Sequence, residues 1–183
     1  MKKIPILIPD VFVIEPDVFA DSRGYFFESF NQKKYSELGI NLNFVQDNES
    51  LSAKNVLRGL HFQHPPFEQG KLVRVIKGGV RDVAVDIRKN SPYYGKWVSC
   101  ELTEKNKLMM WVPPGFAHGF ITLEDATIFS YKCTGLYKKE AEDVILWNDP
   151  DINIDWKIRE PLLSERDKNG VPFKIFKSSF IYP

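Results

Sequence analysis

Short apolar runs separated by turn residues constrain the fold of this chain more than any other feature of its sequence. Ten runs have the length and the β-branched or aromatic content of strands. They are 10–15, 25–30, 43–50, 56–63, 71–77, 80–87, 97–103, 108–113, 119–123 and 127–133. Two helices are also expected: one over 32–38, between the cap Asn31 and the stop Gly39, and a short turn that begins at Ser164. The pattern predicts an all-β antiparallel sandwich or jelly roll.

The run 81–87 shows the alternation of a strand most clearly. Val83, Val85 and Ile87 are branched and apolar, whereas Asp82 and Asp86 stand between them. Successive side chains of a strand point to opposite faces, so we expect this strand to have one buried face. The pair Gly78–Gly79 just before it can supply the positive φ values that a tight hairpin needs.

Composition excludes several classes of protein. The 183 residues suit one domain over 1–183, and 43% hydrophobic content argues against disorder. A net charge of +1 lacks the electrostatic footprint of a nucleic-acid binder. No run approaches the ~18 apolar residues of a membrane span, and the apolar start is too short for a signal peptide. Cys100 and Cys133 are too few for a disulfide scaffold, so we expect buried thiols in a reduced, cytoplasmic protein.

The three histidines are the first candidates for chemistry. His61 lies in a strand-like run, where a satisfied core histidine and a functional one are equally compatible with the spacing. His64 precedes two prolines and is expected in a solvated loop, while His118 ends a Pro-Gly turn just before a strand. The spacing Pro-x-Gly-x-x-His resembles the second signature of the cupins, jelly-roll barrels that often bind a metal. Their first signature is His-x-His, whereas His61 and His64 are three apart and would face opposite ways, which disfavours a metal site.

A longer set of motifs carries a closer resemblance. The central ones are VLRGLHFQ at 56–63, QGKLVRV at 69–75, DVAVDIR at 82–88, PGFAHGF at 114–120 and YKCT at 131–134. Others lie at 21–28, 44–48, 148–156 and 163–167. Together they resemble the dTDP-4-dehydrorhamnose 3,5-epimerase family, a metal-independent branch of the cupins, in family order over 10–167.

The resemblance implies a fold, an activity and partners. The fold is a cupin jelly-roll barrel, a double-stranded β-helix with a few short peripheral helices. The activity is inversion of carbons 3 and 5 of dTDP-4-dehydro-6-deoxy-D-glucose, which gives dTDP-4-dehydro-L-rhamnose without a cofactor. The implied assembly is a homodimer, and the aromatic run 25–27, apolar on both strand faces, agrees with a covered surface.

The resemblance also implies four catalytic residues. His61 would be the base, since imidazole titrates near ~6.5, and Asp167 would hold its ring. Without the resemblance, Ser164-x-x-Asp167 reads as a helix cap. Tyr131 would be the acid on the opposite face, although a core aromatic is compatible with the same position. Lys71 would stabilise the enolate oxygen if it points inward, and is otherwise an edge residue.

Contacts with the substrate are likewise assigned through the resemblance. They involve Arg23, Glu28, Gln46, Asn48, Arg58, His118, Tyr137, Glu142 and Arg166. Arg58 and His61 are three apart, so a bulge at Gly59 is needed to bring both to one face.

Three alternatives stay open. The pair Gly135–Leu136 departs from the Asn-Tyr common in the family, which leaves inversion at carbon 3 alone, on a related dTDP-4-keto sugar, as one alternative. The others are a metal-dependent cupin and a sugar-nucleotide-binding cupin that has lost its chemistry.

Overall fold

Thirteen strands and two short helices form the regular structure, which a computed structural model describes over residues 1–183. The first strands are β1 (Lys2–Pro5), β2 (Phe12–Glu15), β3 (Val18–Asp21), β4 (Gly24–Phe27), β5 (Gln46–Ser52) and β6 (Leu57–Gln63). The others are β7 (Lys71–Lys77), β8 (Gly79–Asp86), β9 (Trp97–Thr103), β10 (Met109–Val112), β11 (Phe116–Thr122), β12 (Thr127–Cys133) and β13 (Glu142–Val144). The helices are α1 (Gln32–Glu37) and α2 (Glu165–Lys168), with one 3-10 turn at Lys139–Ala141.

Two antiparallel sheets face each other and close around the main core. One has six strands in the order β1-β2-β10-β7-β12-β5, and the other has five in the order β13-β6-β11-β8-β9. Phe129 from the first sheet stacks on Phe120 from the second, with ring centroids 4.1 Å apart. Val73 and Ala84 meet in the same buried cluster. This is the expected all-β jelly-roll barrel, and burial of apolar side chains between the sheets stabilises it.

The outer faces of both sheets are also partly covered. Tyr35 of α1 is fully buried beside Met109 and Trp111, outside the six-stranded sheet. Outside the five-stranded sheet, Val83 and Val85 pack in a cluster with aromatic residues of the C-terminal segment.

Strand β8 therefore corrects one expectation. We predicted one buried face, but both faces are buried, because the barrel interior covers one and the C-terminal segment covers the other. Asp82 and Asp86, which the alternation marked as the polar side, have no exposed surface. Asp86 accepts hydrogen bonds from Arg88 and Ser91, so its burial is compensated.

The two helices begin where their caps predict. The side chain of Asn31 accepts a hydrogen bond from the Lys34 amide at 3.2 Å, and Gly39 follows α1 with φ +100°. Ser164 Oγ accepts from the Asp167 amide at 3.1 Å. Neither helix has the length and apolar composition that a membrane crossing requires.

Most strands agree with the sequence expectation, and the exceptions are short. The runs 71–77, 97–103 and 127–133 coincide with strands, whereas β1, β3 and β13 were not predicted. His118 lies inside β11 rather than at the end of a turn. At the hairpin between β7 and β8, only Gly78 takes a positive φ. Both cysteines are free, but Cys100 is half-buried rather than buried like Cys133.

A bulge in β6 sets the direction of the side chains that follow it. Across the ladder with β11, His61 pairs with His118 and Arg58 pairs with Phe120, so Gly59 and Leu60 together oppose Gly119. Gly59 has φ +140°, and a Cβ there would lie 2.5 Å from the Gly119 Cα. The backbones approach so closely that neither glycine position has room for a side chain.

Candidate active site

A cavity of about 220 Å³ opens between the two sheets. Seven of its lining residues were expected from the sequence: Gln46, Asn48, His61, Lys71, Tyr131, Tyr137 and Glu142. Three further lining residues were not: Phe62, Gln63 and Gln69. Eight of the lining residues come from β5, β6, β7, β12 and β13, and Gln69 and Tyr137 come from loops, so both sheets contribute to the cavity.

His61 and Asp167 form a hydrogen-bonded pair at the cavity wall. His61 Nε2 lies 2.6 Å from Asp167 Oδ1, and the Asp167 side chain is only 5% exposed. Because a carboxylate only accepts hydrogen bonds, Nε2 donates, and Nδ1 is the ring atom that can accept a proton. Ser164 Oγ donates to Asp167 Oδ2 at 2.8 Å. The capping and the histidine-orienting interpretations of Asp167 therefore describe the same arrangement.

The charge state of Asp167 follows from these contacts. Burial opposes ionisation of the carboxyl, but the hydrogen bonds from His61 and Ser164 hold its pKa below the ordinary value. An ionised Asp167 stabilises an imidazolium at His61, as a proton-accepting histidine requires.

Tyr131 reaches the cavity from the opposite sheet. Burial, reinforced by Cys133 and Glu142, raises the pKa of its phenol to about 12. The phenol is therefore protonated at neutral pH and can donate a proton. His61 lies on β6 and Tyr131 on β12, in different sheets that face each other across the cavity.

Lys71 adds a positive charge close to Tyr131. Its Nζ lies 5.9 Å from the centroid of the Tyr131 ring, and the side chain lines the cavity rather than the sheet edge. Burial lowers the pKa of Lys71, although nearby acidic groups oppose this shift. A cation without full solvation in a cavity is suited to bind an oxyanion.

His118 and Asp82 form a second pair, buried inside the barrel. His118 Nε2 lies 2.9 Å and 3.0 Å from the two carboxylate oxygens of Asp82. Burial lowers the pKa of His118 and raises that of Asp82. Asp82 was not predicted as a site residue. Its only signal was an acidic side chain between apolar ones, which alternation assigned to a polar face.

Three side chains join at the edge of the cavity. The Tyr137 hydroxyl donates to Glu142 Oε2 at 2.8 Å, and Arg166 Nη1 donates to the same oxygen. The Tyr137 amide donates to Gln46 Oε1 at 2.8 Å, and Gln46 Nε2 donates to Asn48 Oδ1 at 3.0 Å. These hydrogen bonds connect the two sheets across the cavity edge.

Arg58 reaches the cavity side of its strand because of the bulge. Its guanidinium donates to Ser52 Oγ at 3.1 Å and 3.2 Å. Ser52 lies on β5, on the same strand face as Asn48, which lines the cavity. The bulge thus brings Arg58 and His61 to the same side, as expected.

Arg23 and Glu28 lie outside the cavity. Arg23 is at the tip of the β3–β4 hairpin, where its side chain is 88% exposed and pairs with Asp21. Glu28 pairs with Lys34 at 2.6 Å and accepts from Asn31. Within one chain, these two residues do not join the other candidate site residues.

The histidines have separate partners. His64 Nδ1 lies 2.7 Å from Ser179 Oγ, so the ring is fixed to the C-terminal segment instead of being fully solvated.

No group of three or more His, Cys, Asp or Glu side chains converges in an arrangement suited to a metal ion.

Sequence comparison connects this geometry with known proteins. Residues 5–174 match the profile of the family described as dTDP-4-dehydrorhamnose 3,5-epimerase. The dTDP-4-dehydrorhamnose 3,5-epimerase of Shigella flexneri is 55% identical over 174 residues, which cover 94% of this chain and 96% of that protein. The epimerase of the same name from Pseudomonas aeruginosa is 51% identical over 175 residues, with 94% and 96% coverage.

Solved structures agree. The Legionella pneumophila dTDP-6-deoxy-D-glucose-3,5-epimerase, in complex with dTDP-4-keto-L-rhamnose, superposes with a TM-score of 0.96 at 45% identity. The match covers 100% of this chain and 98% of that one. A 3'-monoepimerase of Streptomyces bikiniensis, in complex with dTDP-quinovose, has a TM-score of 0.85 at 29% identity, covering 91% and 85%.

Proposed function

The chain belongs to the dTDP-4-dehydrorhamnose 3,5-epimerase family and is an isomerase of dTDP-rhamnose synthesis, and on this premise we propose how its residues act. The substrate is dTDP-4-dehydro-6-deoxy-D-glucose, and carbons 3 and 5 of the sugar are inverted to give dTDP-4-dehydro-L-rhamnose. His61 is the base and Tyr131 is the acid. The observation that carries this proposal is that these two side chains reach one cavity from opposite sheets.

The chemistry explains why two faces are needed. The ketone at carbon 4 acidifies the hydrogens on carbons 3 and 5. His61 Nδ1 takes one of these protons, the C–H bond breaks, and its electron pair moves onto the carbonyl oxygen as an enolate. A new C–H bond then forms with the phenolic proton of Tyr131 on the other face. The imidazolium next to Asp167 and the tyrosinate return to their starting protonation states by exchange with solvent.

Lys71 stabilises the enolate oxygen, and His118 assists it. Lys71 is the cation that lines the cavity beside Tyr131. His118 pairs directly opposite His61 on the neighbouring strand. Charge that develops on the oxygen is stabilised most where water is excluded, which favours these half-buried and buried positions.

The nucleotide is proposed to bind along the edge of the cavity. Tyr137 presents an exposed aromatic ring for the thymine, while Gln46 and Asn48 supply polar contacts. Arg58 and Arg166 bring positive charge towards the diphosphate. Glu142 holds Tyr137 and Arg166 together at this edge.

We further propose that the active form is a cytoplasmic homodimer. Phe19 and Phe26 on the β3–β4 hairpin are 66% and 69% exposed, and Tyr25 beside them is 56% exposed. Exposed aromatic clusters of this kind favour an interface with another chain. In the dimer, Arg23 at the tip of the hairpin and Glu28 directly after β4 are supplied by one subunit to the cavity of its partner. The free thiols of both cysteines agree with a reducing compartment.

Turnover in deuterated water tests the reaction. The purified protein is incubated with dTDP-4-dehydro-6-deoxy-D-glucose, and NMR of the product locates the deuterium. Deuterium at carbons 3 and 5 is the expected result. Deuterium at carbon 3 alone supports the monoepimerase alternative, which the similarity to the Streptomyces bikiniensis enzyme keeps open. No incorporation and no product would overturn the proposed activity.

The His61→Ala variant is the control for the assignment of the base. It is expected to lose turnover and exchange while it still binds dTDP, because the nucleotide contacts lie elsewhere. Normal turnover in this variant would show that His61 is not the base.

A further inference from the structure

The segment 134–138, which includes Tyr137 at the edge of the cavity, has no regular secondary structure. Hydrogen bonds to neighbouring residues hold it along its length. The Gly70 amide donates to Thr134 Oγ1 at 2.8 Å. Gln69 Nε2 donates to the Gly135 carbonyl at 2.7 Å. A Cβ on Gly135 would lie 2.8 Å from the Glu68 carbonyl oxygen, so the segment lies flat against the residues before β7. These contacts fix the beginning of the segment.

Gln63, at the end of β6, fixes the residues on both sides of Tyr137. Its Nε2 donates to the Leu136 carbonyl at 3.2 Å and to the Phe67 carbonyl at 2.6 Å. The Lys138 amide donates to Gln63 Oε1 at 2.7 Å. One buried side-chain amide therefore holds the neighbours of Tyr137 on either side.

The hydrogen-bonding capacity of Gln63 is used within the protein. Both N–H groups of its amide donate to carbonyls, its oxygen accepts from an amide, and the residue is only 4% exposed. Although Gln63 lines the cavity, it has no donor left for a substrate. Its arrangement suits a role in positioning rather than in direct binding.

The hydroxyl end of Tyr137 is held through the same strand. Glu142, which accepts the Tyr137 hydroxyl, pairs with Gln63 across the ladder between β13 and β6. The backbone and the hydroxyl of Tyr137 are thus both tied to the end of β6, while the ring stays 51% exposed. An exposed ring on a fixed backbone is pre-organised to stack on a planar ligand, because less freedom is lost when the ligand binds.

We propose that Gln63 is a positioning residue for nucleotide binding, which acts by holding 136–138 so that the ring of Tyr137 meets the base. This inference rests on the proposed contact between Tyr137 and the nucleotide. It assigns to Gln63 no part in proton transfer. Loss of Gln63 therefore weakens nucleotide binding, and its effect passes through Tyr137.

A double-mutant cycle measured by calorimetry with dTDP tests this inference. Gln63→Met keeps the size of the side chain but removes the three hydrogen bonds. It is expected to weaken dTDP binding by about tenfold. The value of kcat at saturating substrate should stay within about twofold of wild type, with the loss appearing in KM. In a Tyr137→Ala background, Gln63→Met should weaken dTDP binding no further.

Two more variants separate positioning from general destabilisation. Ser178 is as buried as Gln63, and its hydroxyl donates to the Ile87 carbonyl away from the cavity. Ser178→Ala is expected to lower Tm without changing dTDP affinity. Gln63→Glu keeps the acceptor for Lys138 but cannot donate as an ionised side chain. It is expected to weaken dTDP binding as well, and it supplies the test if Gln63→Met does not fold.

The outcomes distinguish this inference from the proposed function. If Tyr137→Ala alone leaves dTDP affinity unchanged, the proposed nucleotide contact is wrong, and the role of Gln63 is wrong with it. Suppose that Tyr137→Ala weakens dTDP binding. If Gln63→Met then has no effect on dTDP affinity, or has the same effect with and without Tyr137→Ala, only the positioning role is overturned. A fall in kcat at unchanged KM would also overturn it.

Discussion

At the scale of single residues, the role proposed for the Tyr131 hydroxyl is to deliver a proton to the face opposite His61. Tyr131→Phe removes one oxygen and keeps the ring in the barrel. Because a general acid contributes about 100- to 10,000-fold, formation of epimerised product should fall by that order. Exchange of substrate hydrogen with solvent deuterium should persist, since His61 can return deuterium to the face it came from. NMR of substrate and product measures both rates.

Two outcomes would contradict this role of Tyr131. Equal loss of exchange and epimerisation would mean that the phenol is needed to form the enolate. Wild-type rates for both, with a loss of stability of about 0.5–1.5 kcal/mol, would mean that Tyr131 is only a core aromatic.

Asp167 contacts both His61, the proposed base, and Ser164, the helix cap, so its replacement is expected to change both the reaction rate and the stability of the fold. Asp167→Asn should reduce kcat by about 100-fold or more, because the imidazolium at His61 loses its counter-charge. The folded-state pKa of Asp167 lies below the unfolded value, so its ionised form stabilises the fold above an unfolded pKa of about 3.9. This stabilisation is lost as pH falls through the folded pKa. Thermal unfolding should therefore show a lower Tm for the variant at pH 7 and a smaller difference near pH 3.

We expect the Lys71 side chain to destabilise the fold while it supports activity. Burial lowers its pKa, so the fold disfavours the charged form, and this penalty is relieved only as pH rises towards the unfolded value of 10.5. Lys71→Met removes a cation from the cavity at similar volume. At pH 7 it should raise Tm by about 2–4 °C and reduce kcat by about 100-fold. A lower Tm with unchanged kcat would show that Lys71 is structural.

At the scale of elements, the bulge in β6 positions His61. A Cβ on Gly119 would lie 2.8 Å from the Arg58 carbonyl oxygen and 3.1 Å from the Gly59 Cα. Gly119→Ala must therefore push β6 and β11 apart, at a cost of about 1–3 kcal/mol. We expect a lower Tm and, because His61 shifts with β6, a lower kcat.

Gly79→Ala is the matched control for this strand effect. Its Cβ would meet a Thr103 methyl group at 3.2 Å at the far end of β8, and its φ is not in the left-handed region. A small loss of Tm with unchanged kcat is expected. If Gly119→Ala retains normal kcat, the bulge does not control the position of His61.

Strands were predictable where alternation and turn residues coincide. The run 71–77 ends at Gly78, and the structure has a strand with those limits. The strand β13 has a single apolar residue, Val144, and forms because β6 offers it a ladder. Because β13 forms only through its pairing with β6, the local sequence pattern could not predict it.

The same reason limits what the sequence shows of the candidate site. His61 and Asp167 are 106 residues apart, and only the family resemblance connected them before the structure placed them 2.6 Å apart. Asp82 was missed because β8 turns its Asp82 face, rather than its Val83 and Val85 face, into the barrel, and the facing sheet, which no local pattern records, buries it. Gln63 was missed because its proposed role depends on the backbone of Leu136 and Lys138, which lie more than 70 residues further along the chain.

At the scale of the whole molecule, the chain leaves Arg23 and an aromatic hairpin away from its own cavity. If the hairpin packs on a partner, light scattering at micromolar concentration should give twice the chain mass of 21.2 kDa. Replacing Phe19 and Phe26 together with Ser removes the two most exposed rings of the hairpin. This variant should shift towards the monomer and lose activity, since closed dimers bury such apolar surface. A monomeric mass for the wild type would overturn the proposed assembly.

Sharing of sites between subunits can be tested by mixing two inactive variants. Arg23→Ala removes the proposed contribution of the partner, and His61→Ala removes the base of a subunit's own cavity. In a mixed dimer, one cavity receives both substitutions and the other receives neither. If subunits exchange freely, about a quarter of all cavities are intact, so activity should recover to about 25% of wild type. If Arg23 instead serves the cavity of its own chain, every cavity in the mixture carries one substitution, and no activity returns.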